Sequence, residues 1–334
     1  MTDYLVRASS LSGIRSAIVS LGADPDELNL LTQLEAAALD EESWISYSSF
    51  LTLLQESAQL TDCPHFGLSL SQHQDISILG TLGYIMQQAP DLRTALLELA
   101  KYFAYHNQGA KISLTVEKGI ALWRFDCELE GILPVTQQVD LVAGLALDVM
   151  RLLWTPKWSP DVVYFPHATP VDIKPYQKRF DCPLQFDWES LTVAFDAAIL
   201  DQAILDANPQ LHSVFEKYLR NIAASFSDDY CGQIKHIIKH ALSTGDISIE
   251  RVASLLGVNK RTLQRQLARH NTSYKDLLEE VRFNAARRYL LESNGSLTNL
   301  ADMLGYSELS VFSSAFRRDH GVSPRQWRQQ HLAH

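Results

Sequence analysis

Residues 248–270 read SIERVASLLGVNKRTLQRQLARH, and residues 296–319 read SLTNLADMLGYSELSVFSSAFRRD. Ser248, Ile249, Val252, Ala253, Leu256 and Gly257 recur in the second stretch as Ser296, Leu297, Leu300, Ala301, Leu304 and Gly305. The second copy then gains one residue, after which Leu263 and Leu267 recur as Phe312 and Phe316. Each copy has the same physical logic. A serine caps a short helix whose apolar residues share one face. The alanine is small where two helices approach. The glycine supplies a positive φ for a sharp turn. A polar residue, Asn259 or Ser307, then caps a second helix that buries its two large apolar side chains against the first. This is a helix-turn-helix, whose second helix is built to enter a major groove. A single copy is hard to tell from an ordinary helical hairpin. Two copies with matched interiors and polar or basic outward faces argue for the DNA-reading motif.

Ser273 to Leu291, SYKDLLEEVRFNAARRYLL, joins the copies as one long helix. At ~1.5 Å per residue it spans nearly 30 Å, close to the ~34 Å of one DNA turn. Two recognition helices held at that spacing enter successive major grooves on one face. After the second copy, Gly321-Val-Ser-Pro324 supplies a turn, a cap and a proline for a first helical position. Gln326 to His331 makes a last short helix.

Charge supports the same division. The 334 residues carry a formal net charge of −10. Residues 229–334 hold 15 Lys+Arg and 10 Asp+Glu, whereas residues 1–228 hold 14 and 29. A basic segment on an acidic chain points to a polyanionic partner, double-stranded DNA, with the acidic part facing away from it. The hydrophobic fraction of 46% and the charged fraction of 20% are those of a globular chain. No apolar run reaches membrane-spanning length, and the start MTDYLVRASS lacks signal-peptide character. A cytoplasmic location and no membrane partner are expected. Cys63, Cys127, Cys182 and Cys231 form no CxxC pair and read as reduced, packed thiols.

Toward the N-terminus the pattern mixes helices and strands. Helical spacing is seen at 14–21, from Trp44 to Leu60, at 78–89 and at 91–105, with Pro64 and Pro90 as breaks and Asp91 as a cap. Residues 111–117 and 121–127 alternate apolar with polar around Lys118-Gly119, a hairpin pattern. A long apolar helix over 135–153 follows. Strands are expected at 162–165, 184–186 and 191–195, with a helix near 172–180. Residues 211–226 form an amphipathic helix through Leu211, Val214, Phe215, Tyr218, Leu219 and Ile222. The expected organisation is an α+β sensing and dimerisation domain over 1–205, a helical linker over 206–228, and an all-α domain with two helix-turn-helix units over 229–334.

With Leu263 and Leu267 inward, Lys260, Arg261, Gln264, Arg265 and Ala268 lie on the open side of the first recognition helix. Arginine takes guanine O6 and N7 bidentately, and glutamine pairs with adenine. In the second recognition helix, Ser310, Val311, Ser313 and Ser314 face outward and are the expected base contacts, but they offer no long bidentate reader and suit backbone contacts and shape readout. Lys260, Arg317, Arg318 and Arg325 are the expected phosphate contacts. No nucleophile elbow, zincin, P-loop or dinucleotide motif is present, so no catalytic set, cofactor or metal is expected. His236 and His240 have a metal-compatible spacing but no third ligand nearby in sequence. In the N-terminal part Tyr84, Tyr102, Tyr105, His106, Trp123 and Trp154 line either an effector pocket or only the core.

Residues 229–330 resemble the DNA-binding domain of the AraC/XylS family. The resemblance is carried by Ala253, Gly257, Leu263, Arg265, Arg282, Ala286, Leu290, Ala301, Gly305, Phe312, Phe316, Arg317, Gly321, Ser323, Pro324 and Arg328. The N-terminal part resembles the branch of the ornithine-utilisation regulator through Phe66-Gly67-Leu68, Leu79-Gly80 with Gly83, and 91–105. The resemblance implies a transcriptional regulator with base contacts at Arg261, Gln264 and Arg265 and a small-molecule effector. An acidic domain that adds nothing to DNA affinity is expected to make a homodimer, which raises the effective concentration of the second DNA-binding unit, and RNA polymerase is a further expected partner. Some family members carry arginine where this chain has Ser314, which places the weight of base reading on the first unit. The helical start differs from the β-rich jelly-roll sensor of the arabinose-regulator branch. A DNA architectural protein, or an accessory helix-turn-helix on a protein without an effector, is the other reading. A site-specific footprint that changes with an effector separates the two. The operator, the effector and the sign of regulation are not legible in the sequence.

Overall fold

A computed structural model of the chain describes residues 4–38, 43–205, 207–225, 230–244, 247–255, 260–293 and 295–332. They divide into two units, Met1–Ala224 and Ser225–His334.

In the first unit Leu5–Arg7 (β1) pairs antiparallel with Trp44–Ser46 (β2). Between them lie helices α1 (Ile14–Ser20) and α2 (Asn29–Ala37). Four helices follow: α3 (Tyr47–Leu60), α4 (Phe66–Leu70), α5 (Thr81–Gln88) and α6 (Leu92–Tyr102). The helix expected from Trp44 therefore begins three residues later. Trp44, Ile45 and Ser46 are all buried in the two-stranded ladder, and the Ser46 hydroxyl caps α3 by accepting from the Ser49 N–H at 3.2 Å. The ladder partner lies far away in sequence, out of reach of local periodicity.

The hairpin forms as the alternation requires. Strand β3 (Ala110–Glu117) pairs with β4 (Ile120–Cys127), and Lys118 and Gly119 both have positive φ, 51° and 84°. Two consecutive positive φ values make a turn whose twist matches the strands. Helix α7 (Thr136–Leu153), β5 (Val162–Tyr164), α8 (Lys174–Phe180), β6 (Leu184–Gln185) and β7 (Leu191–Asp196) complete the domain. The sheet order is β3-β4-β7-β5-β6, antiparallel except for β5–β6. Ala121, Trp123, Phe125 and Cys127 point inward from β4, and α7 packs over that face.

Two features fix α7. Helix α4 crosses it at Gly67, where an added Cβ would sit 1.8 Å from the Gln137 carbonyl oxygen. The Gly67 N–H donates to Gln137 Oε1 at 2.8 Å. Farther along, the wholly buried Asp140 carboxylate receives the Tyr176 hydroxyl at 2.6 Å and the His167 Nε2 at 3.1 Å. Burial raises the Asp140 pKa. Burial alone would lower that of His167, but the hydrogen bond and charge of Asp140 outweigh it and raise the imidazole above its ordinary value.

Helix α9 (Pro209–Ser225), the expected linker, is anchored on this unit. Leu219 is buried with Leu82, Ile85 and Tyr102, Phe215 stacks on Tyr84 with ring centroids 5.8 Å apart, and His212 pairs with Glu98 at 2.9 Å. Leu211, Val214 and Tyr218 remain exposed, and the Ile222 side chain lies outside the described residues.

The second unit is helical: α10 (Tyr230–Thr244), α11 (Ile249–Leu255), α12 (Lys260–Arg269), α13 (Tyr274–Glu292), α14 (Leu297–Met303), α15 (Leu309–His320) and α16 (Pro324–Leu332). Ser248 and Ser296 cap their helices, accepting from Arg251 N–H and Asn299 N–H, each at 3.1 Å. A reciprocal capping box between Ser273 and Asp276 starts α13. Ser323 and Gln326 exchange the same bonds ahead of α16. Ser307 does not cap α15. The N-cap is Glu308, whose carboxylate instead receives the Ser310 hydroxyl at 3.0 Å. The second core gathers Phe283, Ala286, Leu290, Leu300, Ala301, Leu304, Phe312, Phe316 and Trp327. The turn of the first copy, with Leu256, Gly257 and Asn259, lies outside the described residues.

Candidate nucleic-acid interface and effector cavity

Burial sorts the recognition helices by face. On α12, Leu263 and Leu267 are 0% exposed, while Lys260, Arg261, Gln264, Arg265 and Ala268 are exposed. That face holds three cations in its first six residues, and Arg269 adds a fourth at the end of the helix. Arg261 and Arg265 are exposed and, among the described residues, have no ion-pair partner. Lys260 is held by Glu250 at 2.8 Å. An exposed pair of this kind contributes only ~0–1 kcal/mol, so a phosphate can displace the carboxylate.

On α15, Phe312 and Phe316 are buried, Ser310, Val311 and Ser314 are exposed, and Ser313 is half-buried. This face carries hydroxyls and one methyl-bearing side chain. It suits backbone contacts and shape readout more than bidentate reading. Arg317, Arg318 and Arg325 are exposed, and Arg318 pairs with Glu279 at 2.9 Å. The turn ahead of α15 is fastened from α13. Arg282 donates Nε–H to the Leu304 carbonyl and Nη2–H to the Gly305 carbonyl, each at 2.8 Å.

The first unit contains a cavity of about 80 Å³ between the inner sheet face and α7, closed by α6 and the chain after it. Its walls are mostly aliphatic and aromatic, including Leu99, Phe103, Ile112, Leu145, Met150 and Phe195. Five polar side chains interrupt them: Ser10, Gln74, His106, Asn107 and Gln138. Of the six aromatic and histidine candidates, His106 and Trp123 line this cavity. The other four do not. Tyr84 is exposed against Phe215, Tyr102 and Tyr105 belong to the small cluster under α9, and Trp154 packs on the outside of the core. Helical spacing put these rings on helices without saying which face turns to the cavity. Gln74 and Gln138 were not anticipated. Gln138 carried a usable signal, as a polar residue inside an otherwise apolar helix.

Burial, and secondarily the charge of Arg7, lowers the His106 pKa to about 3, so its imidazole is neutral. Its Nε2 lies 3.4 Å from the Ser10 hydroxyl. Gln74 is pinned by Nε2–H bonds to the carbonyls of Ser10 at 3.0 Å and Ser12 at 2.6 Å. Among the described residues no group of three His, Cys, Asp or Glu is placed to hold a metal. The His236 and His240 side chains lie outside the described residues.

Residues 22–204 match the family model described as the arabinose-binding domain of AraC transcription regulator, N-terminal. Residues 252–330 match a helix-turn-helix domain model. The chain is similar to the HTH-type transcriptional regulator VirS of Mycobacterium tuberculosis, at 30% identity over 329 residues, which cover 97% of this chain and 96% of that one. It is also similar to the ornithine utilization regulator of Pseudomonas aeruginosa, at 25% identity over 333 residues, covering 98% and 97%. Among solved structures, the transcriptional regulator CdpR from Pseudomonas aeruginosa aligns with 96% of this chain and 98% of its own, at 22% identity and a TM-score of 0.46.

Proposed function

The chain belongs to the AraC family of transcription regulators, and on that premise we propose that it is a dimeric, effector-responsive regulator that reads DNA chiefly through α12. The observation that carries the reading is the face of α12, where Arg261, Gln264 and Arg265 stand exposed over the buried Leu263 and Leu267. These three side chains are the base readers in the proposal. Ser310, Val311, Ser313 and Ser314 follow the second groove, and Lys260, Arg317, Arg318 and Arg325 bind phosphates. Residues 1–205 sense and dimerise, 206–228 connect, and 229–334 bind DNA. Regulation, not turnover, is the role proposed.

Helix α6 supports a coupling route. Leu96 and Leu99 line the cavity, while Glu98 and Tyr102 on the same helix hold α9. A ligand that shifts α6 therefore acts on the connector directly, provided that it binds the two arrangements of α9 with different affinity. The exposed stripe of Leu211, Val214 and Tyr218 on α9 favours self-association, since apolar positions at this spacing pack against another helix. A dimer raises the effective concentration of the second DNA-binding unit without any new DNA contact. At a promoter, RNA polymerase is the partner such a dimer would meet. No helix among the described residues is long and apolar enough to cross a membrane, which fits a cytoplasmic site of action.

Selection of bound sequences from a random duplex pool, with sedimentation analysis of the full chain, tests the proposal. Two related half-sites bound by a dimer are expected. Sequence-independent binding by a monomer would favour an architectural role instead.

A further inference from the structure

Given an effector-sensing role for the first unit, we propose that its cavity takes an uncharged, mainly hydrocarbon molecule bearing a hydroxyl group, and rejects carboxylates and ammonium ions.

Among the described residues, four buried polar atoms without a hydrogen-bond partner belong to residues on the cavity wall: Trp123 Nε1, His106 Nδ1, Gln74 Oε1 and Gln138 Oε1. Each of the four side chains is more than nine-tenths buried. Native interiors rarely leave such groups unmet, and four on residues that line one void point to a guest that meets them. The alternative guest is water alone.

The donor and acceptor tally narrows the guest. The indole can only donate, an amide oxygen only accepts, and the imidazole Nδ1 does either. Gln74 is oriented by its two Nε2–H bonds, so its oxygen is the group left over. A hydroxyl accepts from Trp123 and donates to a glutamine oxygen. A ketone accepts from the indole or from an Nδ1–H of His106 but leaves both glutamine oxygens unmet.

Charge narrows it further. Among the described residues no Asp, Glu, Lys or Arg side chain lines the cavity, and His106 is neutral in its buried setting. An ion placed there would lose its hydration with nothing opposite to compensate. The rest of the wall is hydrocarbon, and the void of about 80 Å³ accommodates a short chain or a small ring. Met150, unbranched and adaptable, gives the wall room to adjust.

The test uses the full chain and three probes of equal length: hexan-1-ol, hexanoate and hexylamine. Calorimetric titration is expected to show saturable binding of hexan-1-ol, with hexanoate and hexylamine at least about tenfold weaker. Gln138→Leu removes one unmet polar atom while nearly preserving volume, and Trp123→Phe removes the indole N–H together with part of the ring. Each is expected to weaken hexan-1-ol about threefold to tenfold, and Gln138→Leu to leave the ligand-free melting temperature equal or higher. No saturable alcohol binding by folded protein, or equal binding of either ion, would overturn the inference. So would variants that bind the alcohol as wild type does, or a Gln138→Leu variant that melts lower without ligand, since the polar atom would then serve the core through water. The effector reading is tested separately on the selected DNA. Alcohol binding that leaves DNA affinity and spacing unchanged refutes effector control but upholds the cavity assignment. A chain that selects DNA yet binds no alcohol refutes the cavity assignment alone.

Discussion

Arg282 clamps Gly305. From the middle of α13 its guanidinium donates to the Gly305 carbonyl at 2.8 Å and lies 4.2 Å from the centre of the Tyr306 ring. The same side chain bonds the Leu304 carbonyl, so a cation satisfies the end of α14 where helix carbonyls lack partners. Gly305 has φ +68°, and a Cβ there would meet Ile247 Cδ1 at 2.8 Å. Helix α13 thus fastens the turn between α14 and α15 as well as joining them to α12 in the chain.

Arg282→Ala is expected to destabilise the C-terminal unit by about 1–2 kcal/mol, the scale of charge-assisted hydrogen bonds at a half-exposed site. Arg282→Lys should recover less than half of that, because an ammonium cannot reproduce the fork and the ring contact. Urea unfolding of residues 229–334 measures both. An unchanged midpoint for the alanine variant would show that the turn holds without the clamp.

Arg265→Ala is expected to cost about 1–3 kcal/mol of binding on the selected operator and to relax preference at one half of the site. Ser314→Ala should cost far less, since one hydroxyl makes at most one weak contact. Equal losses in parallel titrations would displace α12 as the main reader.

Residues 229–334 alone should fold and bind DNA, with affinity that drops as salt rises. Four phosphate contacts, at Lys260, Arg317, Arg318 and Arg325, predict a slope of log K against log salt of about −3 to −4. A folded fragment that binds with a flat salt response would contradict these assignments.

Gly67→Ala is expected to cost about 3 kcal/mol, the upper end of overpacking penalties, because the clash is with backbone and not with a side chain that can rotate. Thermal unfolding of the full chain, followed by near-ultraviolet dichroism of its tryptophans, gives the value. A cost below about 0.5 kcal/mol would mean that α4 slides along α7 freely.

Two histidines of the first unit should give opposite pH dependences. His167 has a folded pKa above its ordinary 6.5, so its contribution is complete below 6.5 and is lost as pH rises through the folded value. His106 is held down to about 3, so its contribution is present above 6.5 and is lost as pH falls toward 3. The melting temperature of His167→Gln, relative to wild type, should therefore fall short most at acidic pH and converge at alkaline pH. That of His106→Gln should gain on wild type as pH drops from 6.5. Parallel curves for wild type and both variants would remove the assigned shifts.

Much of the C-terminal unit was legible from residues a few positions apart. Ser248, Ser296 and Ser323 as caps, the Leu263/Leu267 and Phe312/Phe316 faces, and Gly305 at the turn are local decisions of hydrogen bonding and helical period. The hairpin at Lys118-Gly119 is local for the same reason. The short strand Trp44–Ser46 was not legible, because its partner Leu5–Arg7 lies across two helices. Nor was the Arg282 clamp, which joins positions more than twenty residues apart.

The sequence by itself determined that the chain carries two capped helix-turn-helix units on a basic segment, and which of their side chains face outward, because both follow from spacing within single helices. Only the tertiary structure decided which buried groups share a cavity. Trp123 comes from a strand, Gln138 from α7, Gln74 from the segment before α5 and His106 from the chain after α6. Periodicity fixes the face on which each side chain lies, but convergence depends on how sheet and helices pack, and that packing is set by contacts such as Gly67 on Gln137 and Asp140 on Tyr176 that span long stretches of chain.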